Sequence, residues 1–462
     1  MPAGDHDRAR RARLSLACRS GESRGSPRGS GCDVGGAACR RHRTRRARSP
    51  AAGDAGHRTG STVGGADRLR RAFATGELLR PTDDVPNLVD LGRAVASASG
   101  APVALRTRGA ELLRDLIGEP SHLVLLLVDG LGLGLLERRS PTSTLRRLLA
   151  TELRSVFPSS TASALTSLAT GEWPARHAVV GWWTHMPTID AAAVLLHYQR
   201  RSDGRPLDEL GITPAQAFPT APLIAQADRD TLSLLPREFV DSPYSRYASG
   251  GRPRRGYLTL RDAVDTVIER TRDAREPTFS YVYTPRIDSI AHEAGTGHPE
   301  LDSAVAELEE VVEHLAVGLG AGSRLLVTAD HGHLDAPVGR RHPLRPGSIL
   351  DALQRVPPSG DPRAVYFHLR PDGAARFHDN FEGRFGNEFA LLSIEELEEM
   401  ELLGPGPLGD EARGRVGDAV AISLGASILG MPGVTGGRAW LAFSSHHSGL
   451  TPAEMRVPLL IA

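Results

Sequence analysis

The chain lacks lysine altogether: all 55 of its basic residues are arginine, set against 55 acids. With formal net charge zero, no overall field favours nucleic acid or an acidic surface. Cysteine is almost as scarce. Cys18, Cys32 and Cys39 all precede residue 40, so the chain beyond that point has neither a disulfide framework nor a thiolate metal site. Long apolar runs are absent too. None approaches the roughly 18 residues of a membrane span, and the apolar part of "RRARLSLACRS" is too short for a signal peptide. These absences together imply a soluble, cytoplasmic protein without a membrane partner.

Large apolar residues are also scarce in residues 1–65. Thirteen arginines against four acids fall in the first fifty positions. Such a head cannot bury enough surface to offset the entropy of ordering, so disorder is expected. Without interleaved aromatics it makes a poor nucleic-acid-binding arm.

From residue 66 the pattern is that of a globular domain, expected to run over 66–462. "HLVLLLVD", "TFSYVYTPRID" and "SRLLVTADHG" read as buried strands, each running into an aspartate. Between them, "STASALTSLATG", "TLRDAVDTVIERTRDA" and "LDSAVAELEEVVEHLAVGLG" carry helical periodicity. The alternation predicts an α/β fold: a mostly parallel central sheet with helices on both faces and ligands at the carboxyl ends of its strands. Two stretches rich in Pro, Gly and Arg, 186–256 and about 336–440, are too long for simple connections. The second, with "RAVYFHLRPDGAARFHD" and "SIEELEEMELL", reads as a small α+β cap insertion.

The strand ends carry the chemistry. In "LVLLLVDGLGLG" the glycines are spaced GxGxG rather than GxGxxG, and Asp129 stands where a carboxylate would repel a pyrophosphate. A metal ligand suits that position better. "RIDSIAHEAG" adds Asp288 and His292 at i and i+4, "TADHGHLD" adds Asp330 and His331, and "SSHHSGL" adds His447. Three aspartates and three histidines suit zinc, with manganese or iron compatible, and are too many for one tetrahedral ion. Two divalent ions are therefore expected. Ser159, Ser160 and Thr161 fall at a helix start, where free N–H groups favour an anion and a hydroxyl beside a metal can act as nucleophile. The remaining histidines, including His298, His333, His342 and His446, are expected at the surface or behind the ligands. Trp182 and Trp183 could stack on a flat group or pack in the core. Arg286 could pair with a phosphate oxygen or form a surface ion pair.

Asp129 after an apolar strand, "FPSSTASALTSLATG", "DSIAH", "ADHG" and the late "HSGL" come in the order of the alkaline phosphatase superfamily. Over about residues 119–462 they resemble most closely its nucleotide pyrophosphatase/phosphodiesterase branch. The resemblance implies two zinc ions, one held by Asp129, Asp330, His331 and the nucleophile Thr161, the other by Asp288, His292 and His447. It implies a hydrolase of small-molecule phosphodiesters or nucleotide pyrophosphates acting through a phosphothreonine. One departure is Ala164, where the branch has an asparagine. Phosphomonoesterase, phosphonate hydrolase and a phosphomutase using Ser159 or Ser160 are the neighbouring activities; a binding protein without turnover would lack a ligand or the nucleophile. Because the head has nothing to pack with, deleting residues 1–65 is expected to leave the melting temperature and turnover unchanged, as thermal denaturation and an ester assay would register.

Overall fold

Every residue of His122–Val128 is buried, and this apolar strand runs through the middle of a seven-stranded sheet in the computed structural model, which describes residues 64–462. The head up to Val63, with its expected disorder and its three cysteines, lies outside the described residues. Parallel partners flank the strand on both sides, Thr278–Thr284 and Ser323–Thr328. Val128 pairs with Thr284 and Leu127 with Thr328, so the three strands stop level with one another. Asp230–Pro236 and Arg254–Tyr257 extend the parallel order on one side. Arg456–Ile461, antiparallel, and Leu149–Arg154 complete the other.

Helices supply the two covering layers. Leu88–Ala98 packs with Arg108–Ile117 and Thr161–Thr170, while Leu260–Asp273 packs with Pro299–Gly318. Their apolar stripes, Leu88, Leu91 and Val95 in one layer and Val305, Leu308 and Val312 in the other, join the sheet in a single core. Asn87 and Thr259 start two of these helices as capping boxes, satisfying N–H groups that would otherwise be orphaned. Among the described residues, no helix is long and apolar enough to cross a membrane.

The expected cap at 336–440 is more than a small insertion. Gln354–Asp361, Ala364–Leu369, Phe389–Ser393 and Ala419–Ser423 share an antiparallel seven-stranded sheet with three strands from 183–200. An aromatic cluster of Phe367, Phe377, Phe381, Phe385 and Phe389 backs it. The first part of the earlier interruption thus pairs with the later one, whereas its last part, Asp230–Pro236 and Arg254–Tyr257, belongs to the central sheet.

A buried ion pair fastens this second sheet to the end of the chain. Arg363, in the turn between two of its strands, donates from Nε to Glu454 Oε1 at 2.6 Å and from Nη2 to Oε2 at 3.0 Å, and both side chains are fully buried. Glu454 also accepts the Gly449 N–H at 2.7 Å, closing the loop that carries His447. Removing one partner leaves an uncompensated buried charge, which costs about 3–5 kcal/mol. Arg363→Met is therefore expected to lower stability by that amount in urea denaturation.

Candidate metal centre

The three strands that end level deliver three aspartates to one place. Asp129 follows His122–Val128 directly, and its carbonyl accepts the Asp288 N–H at 3.1 Å. Asp288 lies in the first turn of Arg286–Ala294, the helix that continues from Thr278–Thr284. Gly130 explains the glycine after the first aspartate. Its φ of +76° and its N–H, donated to Asp330 Oδ1 at 3.0 Å, stitch the first strand end to the third. A Cβ there would come within 2.9 Å of Asp288 Cα. Gly130 and Gly132 are for close approach of protein to protein, not of backbone to phosphate.

Two groups of ligating side chains result. In the first, His331 Nε2 lies 3.4 Å from both Asp129 Oδ1 and Asp330 Oδ2 and 3.2 Å from the Thr161 hydroxyl. All four residues are buried. In the second, Asp288 Oδ1 is approached by Nε2 of His333 at 3.0 Å, His292 at 3.2 Å and His447 at 3.8 Å. The six ligands expected from the sequence are therefore brought together with Thr161. His333 is a correction: it is buried and sits among the ligands rather than at the surface or behind them, with its Nδ1 held by Ser445 Oγ. His446 is buried as well, whereas His298 is exposed. His342 pairs with Glu388.

The histidines are oriented from behind. Nδ1 of His292 is 2.9 Å from the Ser445 carbonyl, that of His331 3.2 Å from the Gly332 carbonyl, and that of His447 3.0 Å from the Ser159 carbonyl. His333 Nδ1 faces Ser445 Oγ at 3.0 Å, and that hydroxyl donates onward to the Ala291 carbonyl. With Nδ1–H donating, all four Nε2 lone pairs converge on carboxylates, an arrangement that a cation resolves.

The carboxylates carry the same message. Asp129 Oδ1 and Asp330 Oδ2 are buried without an N–H or hydroxyl donor. Burial and repulsion from Asp330 and Asp288 raise Asp129 well above the usual carboxylate range, and burial first of all raises Asp330 to about 7. Burial also acts to raise Asp288, but the neighbouring His292 and His333 hold it well below normal. Burial lowers His331 to about 3, keeping it neutral. Orphaned carboxylate oxygens beside neutral imidazoles fit a pair of divalent ions: Asp129, Asp330, His331 and Thr161 could hold one, and Asp288, His292 and His447, with His333 against them, the other.

Thr161 opens the helix Thr161–Thr170. Its serine neighbours do not cap that helix through their hydroxyls. Ser160 Oγ donates to Asp361 Oδ1 at 3.0 Å and Ser159 Oγ to the Gly449 carbonyl at 2.8 Å. Ser159 Oγ also accepts the Ser448 N–H at 3.1 Å, so its partners lie across the fold. Asp361 and Tyr283 are the residues that sequence reasoning missed. Asp361 also accepts the Trp182 N–H at 3.1 Å, and Tyr283 donates to Asp129 Oδ2 at 2.6 Å. Neither stands in a recognisable motif. Trp182 lines a cavity beside the site, while Trp183 is buried and stacked on Trp440 at 3.5 Å. Arg286 forms an exposed ion pair with Glu307 at 2.9 Å.

These shifts make the stability of ion-stripped protein depend on pH. Asp330, raised from 3.8 to about 7, adds stability that is complete below pH 3.8 and is lost progressively as pH rises from there to about 7. Asp129 and Asp361, also raised by burial, act in the same direction. His177, His331 and His368, lowered by burial from 6.5 to about 3, and His446 and His447, lowered well below 6.5, remove stability as pH falls below 6.5. The five histidines outweigh the three carboxylates below 6.5, so the melting temperature in chelator is expected to rise toward pH 6.5 and to fall slightly from there to 7. Adding zinc is expected to suppress the Asp330 share of that fall while leaving that of Asp361.

The family model for type I phosphodiesterase / nucleotide pyrophosphatase matches residues 123–384. Among solved structures, murine ectonucleotide pyrophosphatase / phosphodiesterase 5 is similar with a TM-score of 0.56 and 14% identity, over 73% of this chain and 87% of that one. An inactive variant of the murine protein in complex with AMP gives 0.54 and 15% over the same shares. The human counterpart gives 0.55 and 14%, again over 73% and 87%. At such identity the likeness speaks for the fold, which is that of these alkaline phosphatase-like enzymes. No curated protein sequence matches the chain. The family match covers more than half of the chain, and by it the chain belongs to the type I phosphodiesterase / nucleotide pyrophosphatase family of phosphoester hydrolases.

Proposed function

We propose that the chain hydrolyses phosphodiesters, nucleotide pyrophosphates among them, through a covalent phosphothreonine on Thr161. The observation that carries this reading is the Thr161 hydroxyl, 3.2 Å from His331 Nε2 at the start of a buried helix. The AMP complex of the murine neighbour supports a nucleotide among the substrates. Two divalent ions, zinc by donor type with manganese or iron as alternatives, would supply charge that lowers the hydroxyl's pKa and offsets the developing negative charge.

The protein's own residues do the rest. Thr161 Oγ attacks phosphorus and loses its proton while the bond to the departing alcohol breaks, and that alcohol leaves protonated. Water then attacks the phosphothreonine, releasing a phosphomonoester and returning a proton to Thr161. The sum is diester plus water to monoester plus alcohol, with two in-line displacements and retention at phosphorus. With Ala164 where the resembled branch has asparagine, the N–H groups of the first helical turn are the donors placed to receive phosphate oxygens. Asp361, by holding Ser160 and the Trp182 amide, positions the segment that presents Thr161.

Thr161→Ala is expected to lower turnover of bis-p-nitrophenyl phosphate and of the p-nitrophenyl ester of thymidine monophosphate by several orders of magnitude. Metal analysis should still give close to two equivalents, since the charged ligands remain. Thr161→Ser should keep part of the activity, and Ser160→Ala should cost far less than Thr161→Ala. A dead Ser160→Ala beside a mild Thr161→Ala would shift the assignment to a serine-dependent mutase.

A further inference from the structure

Of the three imidazoles around Asp288, the one that the sequence motifs leave out comes nearest. His333 Nε2 lies 3.0 Å from Asp288 Oδ1, against 3.2 Å for His292 and 3.8 Å for His447. The ligating atoms of Asp288, His292 and His333 all fall within 4.8 Å of one another, whereas His447 falls into such a group with Asp288 and His331, on whose ring it stacks at 3.8 Å. The His333 side chain is only 1% exposed. A Cβ on Gly130 would come within 2.9 Å of its Nε2, so this nitrogen fills space beside Asp129 that a glycine leaves open.

Which ring nitrogen carries the proton follows from the partners behind the ring. Ser445 Oγ donates its one hydrogen to the Ala291 carbonyl at 2.6 Å, so toward His333 Nδ1, 3.0 Å away, it has only lone pairs to offer. Nδ1 is therefore the donor, and the neutral ring turns its Nε2 lone pair on the Asp288 carboxylate. At 3.0 Å that lone pair and the carboxylate oxygen repel each other unless a cation lies against both. The backbone fixes this arrangement. Directly after His333, Leu334–Asp335 pairs with Ser445–His446 in a short antiparallel ribbon. The Ser445 carbonyl accepts from His292 Nδ1 at 2.9 Å, and the Ser444 N–H donates to the His292 carbonyl at 2.7 Å. One short segment thus orients both imidazoles.

We propose that His333 is a fourth protein ligand of the ion at Asp288, beside His292 and His447. The inference rests on the two-ion reading above and makes the two sites unlike. Three imidazoles and one carboxylate form a nitrogen-rich site suited to zinc. Asp129, Asp330 and the Thr161 hydroxyl, with His331 as the one imidazole, form an oxygen-rich site that suits manganese as well.

Titration of the full chain with zinc against a chromophoric chelator tests this. The unaltered protein is expected to take up close to two equivalents. His333→Ala is expected to weaken one of them by more than about 100-fold, beyond the roughly 10–100-fold that loss of a group behind a ligand costs, and to leave the other in place as a report of folding. His333→Gln separates a ligand from a mere hydrogen-bond donor, because its amide can still donate to Asp288 but has no imidazole lone pair. It is expected to bind zinc as poorly as His333→Ala. Cobalt gives a second readout, since its visible absorption reports the donor atoms and is expected to change in both variants. A His333→Gln affinity within about tenfold of the unaltered protein's, or a cobalt spectrum untouched by either substitution, would overturn the His333 assignment and leave the two-ion centre standing. Uptake of fewer than two equivalents by the unaltered protein would overturn the two-ion centre itself.

Discussion

Three carboxylates, those of Asp129, Asp288 and Asp330, are drawn together at the ends of three adjacent strands, and two of them are fully enclosed. Like charges in a dry site repel strongly, and each has lost its hydration. Such a cluster persists only if cations or protons neutralise it. Much of the surrounding architecture can be read as a response. Gly130 brings an N–H to Asp330, Tyr283 a hydroxyl to Asp129, and three imidazoles press on Asp288. Because the Asp129 and Asp330 oxygens nearest His331 receive no donor, neutralisation there is left to an ion or a proton.

The second sheet is needed because the central one supplies only half of the site's supports. Asp361, at the end of Gln354–Asp361, holds Ser160 beside Thr161. Arg363, two residues on, grips Glu454, and Glu454 in turn closes the loop bearing His447. One β-turn of the second sheet thus steadies both the segment that presents Thr161 and the loop from the far end of the chain. A stretch that interrupts the strand and helix rhythm of the sequence is in fact a clamp on the candidate site.

That contrast explains why some of the site is legible in the sequence and some is not. The parallel strands are legible because buried runs such as "LVLLLV" have few other fates, and parallel strands place their succeeding residues at one edge. Asp129, Asp330 and the Asp288/His292 pair inherit their positions from that rule. His333 is not legible, since its strand has already ended at Thr328 and its place among the ligands depends on Ser445, more than a hundred residues on, whose hydroxyl holds its Nδ1. Asp361 and the pairing of 183–200 with 354–423 depend on contacts between segments far apart in the chain, for which local periodicity carries no signal. The serines before Thr161 mislead for a different reason. Local preference favours helix capping, in which the hydroxyl accepts a helix N–H, but a buried carboxylate and a buried carbonyl elsewhere in the fold orient these hydroxyls as donors away from the helix end.

The charged centre and the cavity beside it divide the work of the site. Charge concentrated at the strand ends acts on the phosphoryl group, whose electron distribution changes during reaction, so its effect falls on turnover. The cavity walls are packed helices and sheet, and an ester group lying against them would make the same contacts before and during the displacement. Such uniform binding lowers KM without raising kcat. On the proposed mechanism, selectivity among esters would therefore reside in kcat/KM and in the cavity, while the rate at saturation would belong to Thr161 and the groups that hold it. Changes to the cavity lining can alter which alcohol is recognised without touching the residues that break the bond.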